Sequence, residues 1–324
     1  MRLFWTYLFV ATVCVASIAE PDKWTAAKDT AERLHQAKRF AEARKILLGA
    51  LQDEFLTQDR EYRTAYTLNE LGSISQDEGQ ILEAERYYRR AIVQWEKGGE
   101  PLLVGLARTL NNLASLLYST GKLGEPQALL RRSEEIQLRI LGEDNPELGV
   151  VLLNRGITAF QQRRFDEAEV AYRRAWTILE PHGESRELEL ARVARDLGLV
   201  CDRTGRKDEA SSHFAVARKV WEKQVRSGSP APDVLFNLAA LYAVLRQDIP
   251  AAQTLHKGLA VVERDLGPAH PLMADMLLLY AKVLRRTGEK AEALRMEKQA
   301  KAILANSQVG MARHTIDVAD LVKP

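Results

Sequence analysis

Small residues recur along this chain in three columns whose spacing barely changes. The first is Ala31, Gly72, Ala114, Gly156, Gly198, Ala239 and Ala281, at steps of 41 or 42 residues. The second runs twelve residues later as Ala43, Ala84, Pro126, Ala168, Ala210, Ala251 and Ala293. The third lies seven further on: Ala50, Ala91, Ser133, Ala175, Ala217, Gly258 and Ala300. A small side chain held at a fixed offset marks a place where two backbones approach closely. A fixed period of roughly 40 residues means a stack of like units, each packed mainly on its neighbours. The 324 residues therefore form a solenoid, and the usual prior of about 150 residues per domain does not apply.

The third unit shows how one repeat is built. Arg108 to Thr120 is followed by a turn at Gly121 and Lys122, then by Leu123 to Leu141. Leu110, Leu113, Ala114 and Leu117 share one face, as an amphipathic helix requires. Gly121, with Gly79, Gly205 and Gly288 in equivalent turns, suits the left-handed residue that ends such a helix. The second helix then packs back antiparallel, and a side chain larger than alanine in its first turns would push the axes apart. Glu83, Asp166, Glu167, Asp208, Glu209 and Glu292 fall where that second helix begins. Negative charge is favoured there by about 0.3–1 kcal/mol, a structural role. Pro126 stands in the alanine column of repeat three, where a first-turn proline forfeits no intrahelical bond.

Connectors between repeats read Leu141-Gly142 to Pro146 and Leu266-Gly267 to Pro271. With the Leu/Ala, small, aromatic and Ala pattern, these LGxxxP connectors resemble those of tetratricopeptide (TPR) repeats. The version they look like is the long, roughly 42-residue one of kinesin light chains and many bacterial scaffold proteins. Residues 110–148 (LNNLASLLYSTGKLGEPQALLRRSEEIQLRILGEDNPEL) match best, and the resemblance covers about residues 24–305. It implies an all-α, right-handed superhelical solenoid of about seven antiparallel helix pairs. The repeats fall near 24–58, 65–99, 107–142, 149–182, 191–226, 232–267 and 274–305. Three positions depart from the pattern: Arg155 replaces a leucine, Glu297 occupies an apolar position, and repeat one has Thr30-Ala31 for the paired Leu-Gly. Terminal repeats are commonly atypical because one face meets water.

Stacked helix pairs curve, and the first helix of each pair lines the concave side. Two positions before the first small column stand Asp29, Glu70, Asn112, Asn154, Asp196, Asn237 and Leu279. In TPR proteins an Asn at this offset hydrogen-bonds an extended peptide, so the resemblance assigns that role to Asn112, Asn154 and Asn237. An amide offers both a donor and an acceptor to a peptide unit. Arg108, Asn111, Tyr118, Phe160, Arg192 and Arg195 lie around them and complete the expected groove. Arginine beside aromatics favours a ligand with acidic and apolar side chains. The charge clamp of chaperone-type TPR domains is not reproduced, which disfavours a C-terminal carboxylate ligand.

No catalytic residue, metal site or cofactor is expected. The six histidines are scattered, none with a chelating partner four residues on, and HExxH, CxxC, GxxxxGK[ST], GxGxxG and GxSxG are all absent. A net charge of +2 with a pI near 8.4 and interleaved signs argues against nucleic acid as partner. The N-terminus differs from the rest: Arg2, an apolar run from Leu3 to Ala16, then Ser17, Ile18 and Ala19. That order predicts a signal peptide over residues 1–19, cleaved before Glu20, and no membrane span afterwards. An uncleaved anchor is the rival reading. Cys201 would be the one cysteine left, on an apolar helix position, and reads as a core thiol. An exported chain of this length without disulfides suits a bacterial periplasm or secretion. Residues 306–324 fall outside the repeats and are expected to be mobile. The expected protein is an exported, non-catalytic interaction scaffold that binds a protein or peptide segment in its concave groove, as a monomer or with weak self-association. The alternative is an assembly factor that self-associates or serves as accessory subunit of an envelope enzyme.

Overall fold

Three stretches of chain, residues 22–52, 59–122 and 124–306, are described by the structure, a computed structural model. The expected signal peptide and C-terminal tail lie outside them. Fourteen α-helices run through the described residues: α1 (Lys23–Gln36), α2 (Phe40–Ala50), α3 (Arg60–Asp77), α4 (Ile81–Lys97), α5 (Leu103–Ser119), α6 (Gly124–Leu141) and α7 (Pro146–Gln161). They continue as α8 (Phe165–Leu179), α9 (Glu187–Arg203), α10 (Lys207–Arg226), α11 (Pro232–Val244), α12 (Asp248–Asp265), α13 (Pro271–Thr287) and α14 (Lys290–Asn306). The described residues contain no strand. Each odd-numbered helix pairs with the one that follows, and successive pairs stack. Odd helices also touch one another from repeat to repeat, as α1 with α3, α3 with α5, α5 with α7, and α11 with α13. They therefore form one layer and the even helices the other. None of the described helices is long and apolar enough to cross a membrane.

The first small column sets how closely each pair closes. Sixteen residues after its members stand Leu47, Tyr88, Leu130, Tyr172, Phe214, Leu255 and Glu297, on the second helix of the same pair. Glycine occurs where the partner is aromatic, and alanine where it is leucine. A Cβ added to Gly72 would lie 2.6 Å from the Tyr88 ring, and one on Gly198 would lie 2.5 Å from Phe214. Gly156 meets Tyr172 in the same way. All three rings are buried, each burial stabilising by about 1.5–3 kcal/mol. In repeats one and three, Ala31 shares a cluster with Leu47 and Ala114 with Leu130. The last pair breaks the series: Glu297 accepts from Arg285 at 2.8 and 2.9 Å.

The turn after each first helix has one register throughout. Seven residues beyond the small column, Lys38, Gly79, Gly121, Arg163, Gly205, Arg246 and Gly288 all have positive φ. The four glycines were expected there. Lys38, Arg163 and Arg246 adopt the left-handed conformation as well, because the return of the second helix demands it whatever the side chain.

Repetition of these pairs bends the array until its ends meet. Lys38, in the α1–α2 turn, forms an ion pair with Asp265 at the end of α12. His270 Nε2 donates to the backbone carbonyl of Asp77 at 3.0 Å, while its Nδ1 accepts from the Leu272 amide and caps α13. The Pro271 ring fills the space against Gly79. Asp77 also binds His35 Nε2 through its carboxylate at 2.6 Å. The superhelix is thus closed by contacts of its first two repeats with the sixth repeat and the start of the seventh.

Gly156→Ala should therefore destabilise the protein by about 1–3 kcal/mol through overpacking on Tyr172, although Gly to Ala inside a helix ordinarily stabilises by about 0.5–1 kcal/mol. In a urea double-mutant cycle with Tyr172→Leu, the cost of the alanine should vanish, giving a coupling of at least about 1 kcal/mol. Additive changes would contradict this packing.

Candidate functional site

The odd helices surround a cavity of about 630 Å³, within the range typical of ligand sites. Its wall takes Ser115 and Tyr118 from α5, Asn154, Ile157 and Thr158 from α7, and Arg192 and Arg195 from α9. Phe236 and Asn237 come from α11, and Leu272 and Asp275 from α13. The closing contact adds His35, Lys38, Phe40, Asp77, Leu266 and His270.

Of the residues expected to form the groove, Asn154, Asn237, Tyr118, Arg192 and Arg195 border this cavity. Arg108, Asn111 and Asn112 lie on the same helix layer outside its lining, and Phe160 is buried edge-on against Phe165 at 5.4 Å. The three asparagines hold repeats together. Asn112 Nδ2 donates to Asn69 Oδ1 at 3.3 Å, and Asn154 Nδ2 to Asn111 Oδ1 at 2.8 Å. Arg195 donates to Asn237 Oδ1, and Asn237 Nδ2 to the carbonyl of Asp233. Each inter-repeat step joins the residue three before one small column to the residue two before the next. Arg195 is only 8% exposed. It also donates to Asp196 at 2.7 Å and lies over the Trp221 ring, so its guanidinium is committed within the fold.

Arg192 differs. It is half-buried at the cavity wall and has no ion pair among the described residues. The offset frame explains its placement. Six residues before the small column stand Thr25, Tyr66, Arg108, Val150, Arg192, Asp233 and Asp275. The last three all line the cavity, so its wall changes from cationic in repeat five to acidic in repeats six and seven. A count of two back from each small residue misses this column, and a count of six back finds it.

Asp275 is the most unusual group. It is 8% exposed, and among the described residues it has no hydrogen-bond or ion-pair partner. Burial alone pushes its carboxyl up to about 8, because the charged form loses its hydration without compensation. At neutral pH the group is therefore mostly protonated. Groups with such shifts cluster at functional sites.

One set of potential metal ligands lies away from the cavity. Cys201, Glu209 and His213 bring ligand atoms within 4.8 Å of one another. Glu209 lies four residues before His213 on the same helix rather than after it, so the sequence pattern of a histidine with a ligand four residues on does not contain it. It is already paired with Arg173 and Arg206, which place two guanidinium groups where a cation would sit. Burial raises the Cys201 thiol and lowers the His213 imidazole. The Cys201 side chain is buried, as expected of a core thiol.

A tetratricopeptide-repeat family model matches residues 63–137 and 105–180. Protein KINESIN LIGHT CHAIN-RELATED 1 of Arabidopsis thaliana is 24% identical over 183 residues, which is 56% of this chain and 30% of that protein. Protein KINESIN LIGHT CHAIN-RELATED 3 of the same plant is 25% identical over 201 residues, 61% of this chain and again 30% of the relative. The chain thus matches about three-tenths of the length of these relatives. Among solved structures, the Rap conjugation gene regulator of plasmid pLS20, in complex with the Phr* peptide, superposes with a TM-score of 0.65 at 15% identity, covering 94% of this chain and 84% of that one. Aspartyl phosphate phosphatase F from Bacillus subtilis gives 0.64 at 14% identity, covering 91% and 73%. Identities this low establish a shared fold and nothing more.

The Asp275 carboxyl makes stability fall with pH. Because its folded value is raised to about 8 from an ordinary 3.8, the folded state holds a proton that the unfolded state releases across that window. Wild-type stability should decline between about pH 4 and 8 from this group and level off above, while Asp275→Asn removes that part of the slope. Thermal denaturation at several pH values should show the variant's advantage growing from pH 5 to 8. A constant gap would contradict the unpartnered burial of Asp275.

Proposed function

We propose that this chain, a tetratricopeptide-repeat protein of the long kinesin-light-chain-like type, is a non-catalytic interaction scaffold that holds a peptide segment in its concave cavity. The observation that carries this reading is Arg192: a cation with no ion pair among the described residues, at the wall of a cavity built mainly from the layer of first helices. Side chains committed to inter-repeat bonds keep the wall rigid, and a rigid wall lowers the cost of ordering a ligand. The pLS20 regulator of the same fold is described in complex with a peptide, which supports a peptide as the class of ligand. Catalysis has no support in the site. The cations at the cavity other than Arg192, namely Lys38 and Arg195, are paired with Asp265 and Asp196, and its amides and carboxyls form no arrangement of nucleophile, base and orienting group.

Export is part of the same proposal. Arg2, the apolar run to Ala16 and the small residues Ser17 and Ala19 support a cleaved leader, and the partner would then be met in a bacterial envelope or outside the cell.

Peptides selected from a displayed random dodecamer library on the full chain should bind through the cavity. In fluorescence anisotropy, Arg192→Glu should weaken them at least about tenfold, the scale of a lost buried charge contact. Arg132→Ala, on an exposed residue paired with Glu96, should leave affinity unchanged. Equal affinity for wild type and Arg192→Glu would place binding elsewhere and sink the proposal.

A further inference from the structure

The cavity wall has two ionisable ends, Arg192 and Asp275, and only one of them follows from an acidic ligand. Arg192 accounts for an acidic group. Asp275 does not: a carboxyl at the cavity, more than nine-tenths buried and without a partner among the described residues, is what an acidic peptide would avoid. Among the described residues, none is paired with it. Lys38 is paired with Asp265, Arg195 with Asp196 and Asn237, and His270 is held by the Asp77 carbonyl and the Leu272 amide. Asp233, at the equivalent position one repeat earlier, adds a second carboxylate rather than a cation. A buried polar group without a partner costs stability, and a protein retains one where a ligand completes it.

We propose that the cavity takes a peptide of mixed charge, with a cationic group against Asp275 and an acidic side chain against Arg192. The cation is an α-amino group or a Lys or Arg side chain. This rests on the reading of the cavity as a peptide groove and adds a polarity and a spacing to it. Arg192 on α9 and Asp275 on α13 stand two repeats apart. Neighbouring helices pack at about 8–10 Å, which separates the two by roughly 16–20 Å along the layer. An extended chain advances about 3.3–3.6 Å per residue, so the two ligand charges lie five or six residues apart. The arriving cation supplies the partner that the ionised carboxyl lacks. With Asp275 only 8% exposed, the resulting ion pair is partly shielded from water and so counts for more than one at the surface.

The displayed dodecamer library separates this from the broader reading. Panned on the full-length wild type, it should enrich peptides carrying a basic and an acidic residue five or six positions apart. Panned on Asp275→Asn, enrichment of the basic residue should disappear while that of the acidic residue stays. Arg192→Gln should give the converse. For a selected peptide, replacing its basic residue by Gln should weaken binding to wild type about tenfold, the scale of one charge-assisted bond, and leave binding to Asp275→Asn unchanged. Thermal melts confirm that the variant is folded, since losing this carboxyl stabilises rather than disrupts. If wild type selects acidic peptides with no basic preference, or if Asp275→Asn binds the mixed-charge peptides as wild type does, the mixed-charge inference fails and the groove reading stands. If no selected peptide depends on either residue, both fail.

Discussion

How closely two helices can approach decides most of this structure. In every repeat but the last, the first helix offers a residue with almost no side chain, and the second lays a tyrosine, phenylalanine or leucine across that spot. The fit is graded: glycine under Tyr88, Tyr172 and Phe214, alanine under Leu47 and Leu130. Close packing of this kind tolerates neither a missing nor an added methyl group without cost. Because the same contact is repeated in register, each pair presents nearly the same shape to the next, and the curvature of the array follows from the sum of those small rotations.

The closed form follows from that curvature, and the cavity follows from closure. First helices face inward, and their polar residues divide into two sets. One set is used to tie repeat to repeat: Asn112 to Asn69, Asn154 to Asn111, Asn237 to Arg195. The other set, Arg192, Asp233 and Asp275, lies one turn or so earlier on α9, α11 and α13 and carries charge to the cavity wall. The wall is thus stiff where it is amide-lined, and chemically selective where its ionisable groups have no partner among the described residues.

Much of this was legible in the residues. The small columns located every helix pair, and Gly79, Gly121, Gly205 and Gly288 marked the turns. Lys38, Arg163 and Arg246 hid three equivalent turns, because a long side chain at a left-handed position carries no glycine signature. The asparagines were legible in position, but their bonds to the preceding repeat were not, since they join residues 42 or 43 apart across a packed interface. Closure was out of reach altogether. Lys38 and Asp265 are 227 residues apart, and His270 and Asp77 are 193 apart. Their meeting depends on rotation accumulated over five repeats, which no single repeat encodes. Asp275 was hidden for the same reason: an aspartate in the second turn of a helix reads as a solvated side chain until the cavity around it is known.

The account stands on the array being closed around its cavity. Pulsed electron–electron spin measurements on Gln36→Cys with Ala269→Cys, in a Cys14→Ser, Cys201→Ala background, test this most directly, since both labelled positions are exposed beside the closing contact. A single narrow population below about 20 Å, two helix diameters, is the predicted result. A broad distribution near 40–50 Å, five repeats at about 8–10 Å each, would describe an open superhelix and contradict it.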